Sequence, residues 1–495
     1  MKSKFRNSKV FFAGGIAAAA LAMPITAGQA QSAATSQIQS ISPKEKQQGA
    51  EAHPQLLQEF GGAYTGPQTA YVETVGKNIA VHSGLSNARN DFTVTLLNSS
   101  VNNAFAIPGG YIYVTRQLVA LMNNEAELAG VMGHEVRHVA GRHANRRQSA
   151  ATRNTVIGVL GSVLAGAVLG NSAIGNVLQR GLLQGSQMLT LSYSRGQETE
   201  SDNYGIQYLR AAGYDPRAMS TVLQSLANQN ALEARLMGRD AAVPAWASSH
   251  PDPASRVRAA LTRAGANARG LTNRDTFLMR IDGILYSDDP RQGVIEGRNF
   301  IHPDLKLTFQ APEGFYLMNG TRAVTIGGQA GKGEFSTAAY NGDMNAYITT
   351  VFGGLSESGQ AKITPSSIER TTVNGIPAAY GTARVNNGNG QVDLVVFAYE
   401  FGAGQAFHFL AIAPAGNAAV FTPMFQSVKR ISAAQAAAVK PRKLAVVTAR
   451  ASDTVQSLSA RMAYTDAQLD RFLVLNGLTA SSGITAGQKV KIVTY

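Results

Sequence analysis

Three histidines and one glutamate stand within ten positions of each other in "GHEVRHVAGRHAN", residues 133–145. On a helix, His134 and His138 lie about 40° apart around the axis and about 6 Å apart along it, so two imidazoles can meet at one ion. Glu135 projects beside them. This is the physical content of the HExxH pattern: two neutral nitrogens hold zinc, and the carboxylate takes a proton from water that the metal acidifies to a pKa of about 7. His143 lies about 180° from His134 around a continuous helix, so a structural or surface role is expected for it. The glycine-broken variant HExxHxxGxxH would need a histidine where Ala144 stands.

The elements that must position these groups are legible around them. "NNEAELAGVMGHEVRHVAGRHANRRQ" (123–148) reads as one helix. Asn124 and Glu127 have capping-box spacing, and Leu128, Val131, Met132 and Val139 form an apolar stripe. A second helix is expected in "SYSRGQETESDNYGIQYLRAAGYDP" (192–216), stopped by Gly213 and Pro216. Its Glu198 and Asp202 share a face, while Glu200 points away. Three carboxylates this close call for a cation or arginine partners; a solvated acidic face is the alternative.

Four ordered pieces resemble one family, the CAAX prenyl protease and HtpX-like zinc metalloproteases, particularly their exported bacterial members. They are "NNAFAIPGGYIYVT", "NEAELAGVMGHEVRHVAGRH", "SRGQETESDNYG", with Ser201 at the usual alanine position, and "SSHPDPASRVRAAL". The resemblance spans about residues 45–265. It implies a mainly helical, zincin-like protease domain with a small β-hairpin or sheet. It further implies that one Zn2+ per chain is bound by His134, His138 and Glu198, with Glu135 as general base. Asp202 would orient a ligand histidine from behind, and Arg256 would ion-pair in the site or in the fold. His250 would approach the metal, either stabilising the reaction intermediate or capping the ion in a closed state; a turn histidine before Pro251 is the alternative.

The segment before the HExxH helix alternates in "DFTVTLLN", turns at Pro108-Gly109-Gly110 and alternates again in "YIYVT". A strand edge at Asn103, Ala104 and Phe105 would pair an extended peptide through main-chain hydrogen bonds. An ordinary core hairpin is the other reading.

Over its 495 residues the chain is 44% hydrophobic and 15% charged, with a formal charge of +13 and no cysteine. Disulfides are excluded, any metal site must use His, Asp or Glu, and the basic balance suits acidic surfaces such as wall polymers or anionic lipid. No nucleic-acid module is visible. "MKSKFRNSKV", the apolar run after it and "AGQA" near Ala30 read as a cleaved export signal over residues 1–30, with an uncleaved anchor the alternative. Residues 154–179 carry no charge and include Gly166 and Gly170 in GxxxG spacing. A single membrane crossing there would put His138 and Glu198 on opposite faces. The insert, about 154–190, is therefore expected as helical cover over the cleft, with shallow membrane contact the alternative.

The metalloprotease domain is expected over 31–292. Repeated β patterns, "LKLTFQAP", "NAYITTVFGG", "VDLVVFAYEF" and "AFHFLAIAP", with a closing helix in "AAVFTPMFQSVKR", predict an α+β domain over 293–435. Its His302 and His408 read as structural. After a linker at 436–445, residues 446–495 resemble a LysM module, with Ser452-Asp453-Thr454 opening a helix and Asn476-Gly477 ending another. That resemblance implies binding of peptidoglycan; a small βααβ domain packed on its neighbours is the alternative. Together these readings describe an exported zinc endopeptidase of the periplasm or envelope; the family resemblance, and no residue pattern, implies that it acts on misfolded or unassembled polypeptides. A chaperone-like client-binding protein with a closed metal site and a peptidoglycan-associated wall hydrolase are the alternatives.

Overall fold

The computed structural model describes residues 40–146, 193–236, 250, 253–355, 362–386 and 390–495. The expected export signal and apolar insert lie outside them. Helix α1 (Pro43–Glu59) starts at a capping box between Ser42 and Glu45. Helix α2 (Gln68–Ala80) buries Val72, Val75 and Ile79. Strands β1 (Thr93–Leu97), β2 (Ala104–Ile107) and β3 (Tyr111–Thr115) make a sheet of order β1-β3-β2, with β1 parallel and β2 antiparallel to β3. The β2–β3 turn needs its glycines. Gly110 sits at φ +87, and a Cβ there would fall 2.2 Å from the Asp91 carbonyl oxygen.

Thr115 ends β3 and caps α3 (Arg116–Leu121), its hydroxyl accepting from Leu118 N–H. The HExxH helix, α4 (Glu125–Ala140), is capped by Asn124, whose side chain accepts from Glu127 N–H at 2.9 Å. The Glu127 carboxylate reaches back to the N–H of Asn123 at 2.7 Å, one residue before the cap. The helix is shorter than its sequence pattern suggests. It stops at Gly141, and Arg142 takes φ +50, held by a 3.1 Å bond from its Nε to Glu45. The chain beyond is thereby redirected, so His143 no longer follows the helical wheel.

Helix α5 (Arg195–Ala211) begins at a Ser194–Gln197 capping box and packs against α4. The two backbones approach where glycine faces glycine: a Cβ on Gly133 would sit 3.3 Å from Gly205 Cα, and one on Gly205 would sit 3.2 Å from His134 N. Helices α6 (Ala218–Leu236), α7 (Pro253–Ala264) and α8 (Arg274–Ile281) complete this helical region.

A β-rich region follows. Strands β4 (Val294–Glu296), β5 (Asn299–His302), β6 (Leu307–Gln310) and β14 (Lys429–Arg430) form one sheet. The larger, antiparallel sheet contains β7 (Phe315–Asn319), β8 (Val324–Gly328), β9 (Gly331–Thr337), β10 (Ile368–Val373), β11 (Ile376–Asn386), β12 (Gln391–Gly402) and β13 (Gln405–Pro414). Its order is β10-β11-β12-β13-β9-β8-β7. One expected strand is a helix: "NAYITTVFGG" lies in α9 (Met344–Gly353). Asp343 caps its start, and Thr349 and Thr350 turn their hydroxyls back to the carbonyls of Asn345 and Ala346, both at 2.8 Å. Met344, Tyr347, Ile348 and Phe352 then share the buried face, a helical spacing that outweighs the β-branched composition. The closing helix α10 (Thr422–Ser427) forms as expected.

The C-terminal segment runs β15 (Lys443–Thr448), α11 (Val455–Ser459), α12 (Gln468–Leu475) and β16 (Lys489–Thr494), with the two strands paired antiparallel. Residues 436–445 hold the end of a short helix, Ala433–Ala437, and the start of β15. This βααβ unit shares one apolar core with the helical region: Leu444, Leu458, Phe472 and Ile492 cluster with Leu121, Met122, Phe277 and Ile281. Lys491 is fully buried, and its ammonium donates to the carbonyls of Ala120 (2.9 Å), Leu121 (3.0 Å) and Met122 (2.6 Å). Those carbonyls end α3, where a helix leaves acceptors without partners of its own.

Candidate metal centre

His134 and His138 stand one turn apart on α4, and Glu198 and Asp202 one turn apart on α5. The glycine crossing presses these two faces together. His134, His138, Glu198 and His250 each offer a ligand atom, all within 4.8 Å of one another and all buried. Glu198 lies 3.5 Å from Nε2 of both His134 and His138.

The second nitrogen of each imidazole is held. His134 Nδ1 is 2.9 Å from Asp202 Oδ1, which places the proton on Nδ1 and turns the Nε2 lone pair inward. His138 Nδ1 meets His143 Nδ1 at 2.9 Å, and His143 Nε2 lies 3.4 Å from Glu200. His143 is therefore a buried support for His138. Sequence spacing missed this contact, because it depends on the break at Gly141–Arg142. Arg256 on α7 forks onto Asp202 at 2.8 and 2.6 Å and lies 2.7 Å from Glu198. Glu200 faces away, toward Arg137 and Arg146.

These residues fit a cation. His134 Nε2 is 3.0 Å from His138 Nε2 and 3.2 Å from His250 Nδ1. Nitrogens this close need a proton or a metal ion between them, and their convergence on one point lets a single cation take the proton's place. Two imidazoles and a carboxylate, with a third imidazole beside them, form a donor set suited to a borderline divalent ion such as zinc. The electrostatics agree. Burial opposes a charged His134, but Glu198 and Asp202 outweigh it and raise its pKa to about 9. Burial also opposes the Asp202 carboxylate, yet Arg256 and His134 bring it down to about 2.

Glu135 is fully buried, and neither carboxylate oxygen has a hydrogen-bond partner among the described residues. Burial raises its pKa, against the opposing pull of His250 and His134. A buried carboxylate without hydrogen bonds costs roughly several kcal/mol, and this one sits beside the donor cluster. His250 Nδ1 is 3.1 Å from both Glu198 oxygens, and its Nε2 lies 3.2 Å from the Ala104 carbonyl and 3.3 Å from Glu135. Of the expected edge residues, Ala104 faces this cleft. The Asn103 carbonyl is taken by Thr115 N–H, and the Phe105 ring stacks on Tyr113 in a separate apolar cluster. Tyr193, singled out by no spacing rule, lies 3.7 Å from the His138 ring, centroid to centroid and nearly parallel.

Residues 67–264 match the model of Peptidase family M48. This region is similar to the M48 peptidases. It closes at the last residue of α7 and contains every residue of the cluster. The chain is 35% identical over 199 residues to the beta-barrel assembly-enhancing protease of Yersinia pestis, covering 40% of this chain and 39% of the relative. To the protein of the same name in Escherichia coli (strain K12) it is 34% identical over the same shares. The mitochondrial metalloendopeptidase OMA1 of Schizosaccharomyces pombe is 30% identical over 217 residues, 43% of this chain and 59% of the relative. The chain thus spans about two-fifths of the first relatives' length. A solved structure from Bacteroides thetaiotaomicron aligns with 41% of this chain at a TM-score of 0.24 and 12% identity, too weak a likeness to carry an argument.

Proposed function

We propose that the chain is a zinc-dependent endopeptidase of the cell envelope that cleaves misfolded or unassembled polypeptides. The observation that carries this reading is the buried convergence of His134, His138 and Glu198 beside the Glu135 carboxylate, which has no hydrogen bond among the described residues. His134, His138 and Glu198 would hold the zinc, which when bound acidifies water and polarises the scissile carbonyl. Glu135 takes the proton of the attacking water and passes it to the leaving amine; burial raises its pKa, which favours holding that proton between the two transfers. Asp202 keeps the His134 proton on Nδ1, His143 does the corresponding work for His138, and Arg256 neutralises the paired carboxylates of α5.

His250 fills the space between the donor cluster and the Ala104 edge, so this conformation is closed, and opening requires His250 to leave. The relatives' name, assembly enhancement of β-barrels, supports unassembled polypeptides as clients. An envelope location rests on the same relatives and on the expected signal; among the described residues no helix is long and apolar enough to cross a membrane. Tethering to peptidoglycan through the C-terminal unit is proposed on its LysM-like motifs and βααβ order, and shallow membrane contact on the apolar insert.

The closed cleft also favours a second reading, a client-binding protein that rarely cleaves. Metal content and casein turnover of wild type, Glu135→Gln and Glu198→Ala separate the two. The peptidase reading expects about one zinc in wild type and in Glu135→Gln, loss of zinc in Glu198→Ala, and turnover in wild type alone. Equal turnover by wild type and Glu135→Gln removes it. Muropeptide release from purified sacculi, abolished by Glu135→Gln, would instead point to a wall hydrolase.

A further inference from the structure

Strand β2 is an edge of its sheet among the described residues, and its main chain determines which groups a client can reach. In an antiparallel ladder, successive residues direct their N–H and C=O alternately toward the partner strand and away from it. The Asn103 carbonyl accepts from Thr115 N–H at 3.0 Å, so residue 103 faces β3. Phe105, two residues on and opposite Tyr113, faces β3 as well. Ala104 and Ala106 therefore present their carbonyls outward, toward the metal centre. These are the groups an added strand would pair with, at two-residue spacing.

Both carbonyls are already engaged. Ala104 O is 3.2 Å from His250 Nε2, and Ala106 O accepts from the Tyr193 hydroxyl at 3.4 Å. Tyr193 is 3% exposed and its ring stacks on His138. It stands directly before Ser194, the cap of the helix that carries Glu198. Its hydroxyl thus spans from the ligand-bearing helices to the strand edge.

We propose that Tyr193 is a gate on the client-binding edge: its hydroxyl occupies the Ala106 carbonyl, and an extended polypeptide must displace it to pair along β2. This rests on the peptidase reading for the identity of the edge and adds a positioning residue to it. Tyr193 competes with the client before the reaction and does none of the proton transfer. Its removal therefore affects binding rather than the chemical step.

The test uses Tyr193→Phe in the full chain, which keeps the ring on His138 and removes only the hydroxyl. In the zinc-loaded Glu135→Gln background, fluorescein-labelled β-casein binding is followed by anisotropy. Adding Tyr193→Phe should tighten binding about three- to tenfold, the range for releasing one hydrogen bond. With Glu135 present, Tyr193→Phe should lower KM for casein by a similar factor and leave kcat within about twofold. Zinc content and melting temperature should match the parent, separating the effect from damage to the fold. Unchanged affinity overturns the gate, and so does a fall in kcat of about a hundredfold at constant affinity, which would make the hydroxyl a transition-state donor. If wild type cleaves nothing and Tyr193→Phe still tightens casein binding, the peptidase reading fails and the gate stands.

Discussion

The C-terminal βααβ unit and the seven-stranded region look alike as successive segments of one chain, yet they stand differently toward the metal centre. The β-rich region builds its own cores: Phe309, Phe335, Phe397 and Phe409 on one side of the large sheet, Ile348, Phe352, Leu394 and Leu410 on the other. Its ties to the helical region include small polar contacts, such as Thr321 to the Glu59 carbonyl and Arg322 to Gln58. The C-terminal unit instead completes the helical region's core and inserts Lys491 at the end of α3, four residues before the HExxH helix begins. The lesson is that independence belongs to the segment that can bury its own apolar surface, whatever the chain order suggests.

The sharpest way to break this comparison is to cut it. A chain ending at Arg442 would expose Leu121, Met122, Phe277 and Ile281. At about 1.5–3 kcal/mol for each large apolar side chain, it should fail to fold or lose on the order of 10–50 °C in melting temperature, given about 2–4 °C per kcal/mol. Residues 293–431 expressed alone should melt cooperatively, and residues 443–495 alone should not; circular dichroism of the fragments checks both.

Lys491→Met probes the same boundary with one side chain. It leaves three carbonyls without their donor and Glu127 without its buried counter-charge, a loss of about 3–5 kcal/mol in urea unfolding. The effect should fall on the transition that includes the metal site and spare that of the β-rich region.

Removing the metal should separate the regions again. A chelator should lower the melting of the helical and C-terminal unit and leave the β-rich transition in place. The pH dependence has a definite sign. The His134 pKa is raised to about 9, so below that pH its proton must be displaced for a metal to bind. Zinc affinity should weaken as pH falls from 9 toward 6, by up to about tenfold per unit, as measured by competition with a chromophoric chelator.

The smallest effect is expected at the surface of the docked interface. Arg235 and Asp470 pair at 2.9 Å with both side chains largely exposed. Arg235→Ala should change stability by less than about 0.5 kcal/mol. A large change there would mean that docking depends on the rim rather than on the shared core.

The local chemistry of the site was legible because it is helical arithmetic. His134 with His138 and Glu198 with Asp202 are each one turn apart, and the capping residue Asn124 marks where the first helix begins. What escaped depends on backbone detail or on long-range contact. His143 reaches His138 only because Arg142 adopts a left-handed conformation. The Tyr193 hydroxyl meets a carbonyl 87 positions earlier in the chain. In the β-rich region, a strand-like composition at 344–353 yielded to a cap and a helical apolar face.

By itself the sequence determined which side chains can share a helix face, because 3.6 residues per turn is a property of the local backbone. It also supplied the glycines that let two such faces approach. Only the tertiary structure decided that His250 and Tyr193 cover the strand edge and that the C-terminal unit belongs to the same core as the metal site. Those outcomes depend on apolar surfaces and polar groups far apart in the chain finding partners at once, and no local spacing records that.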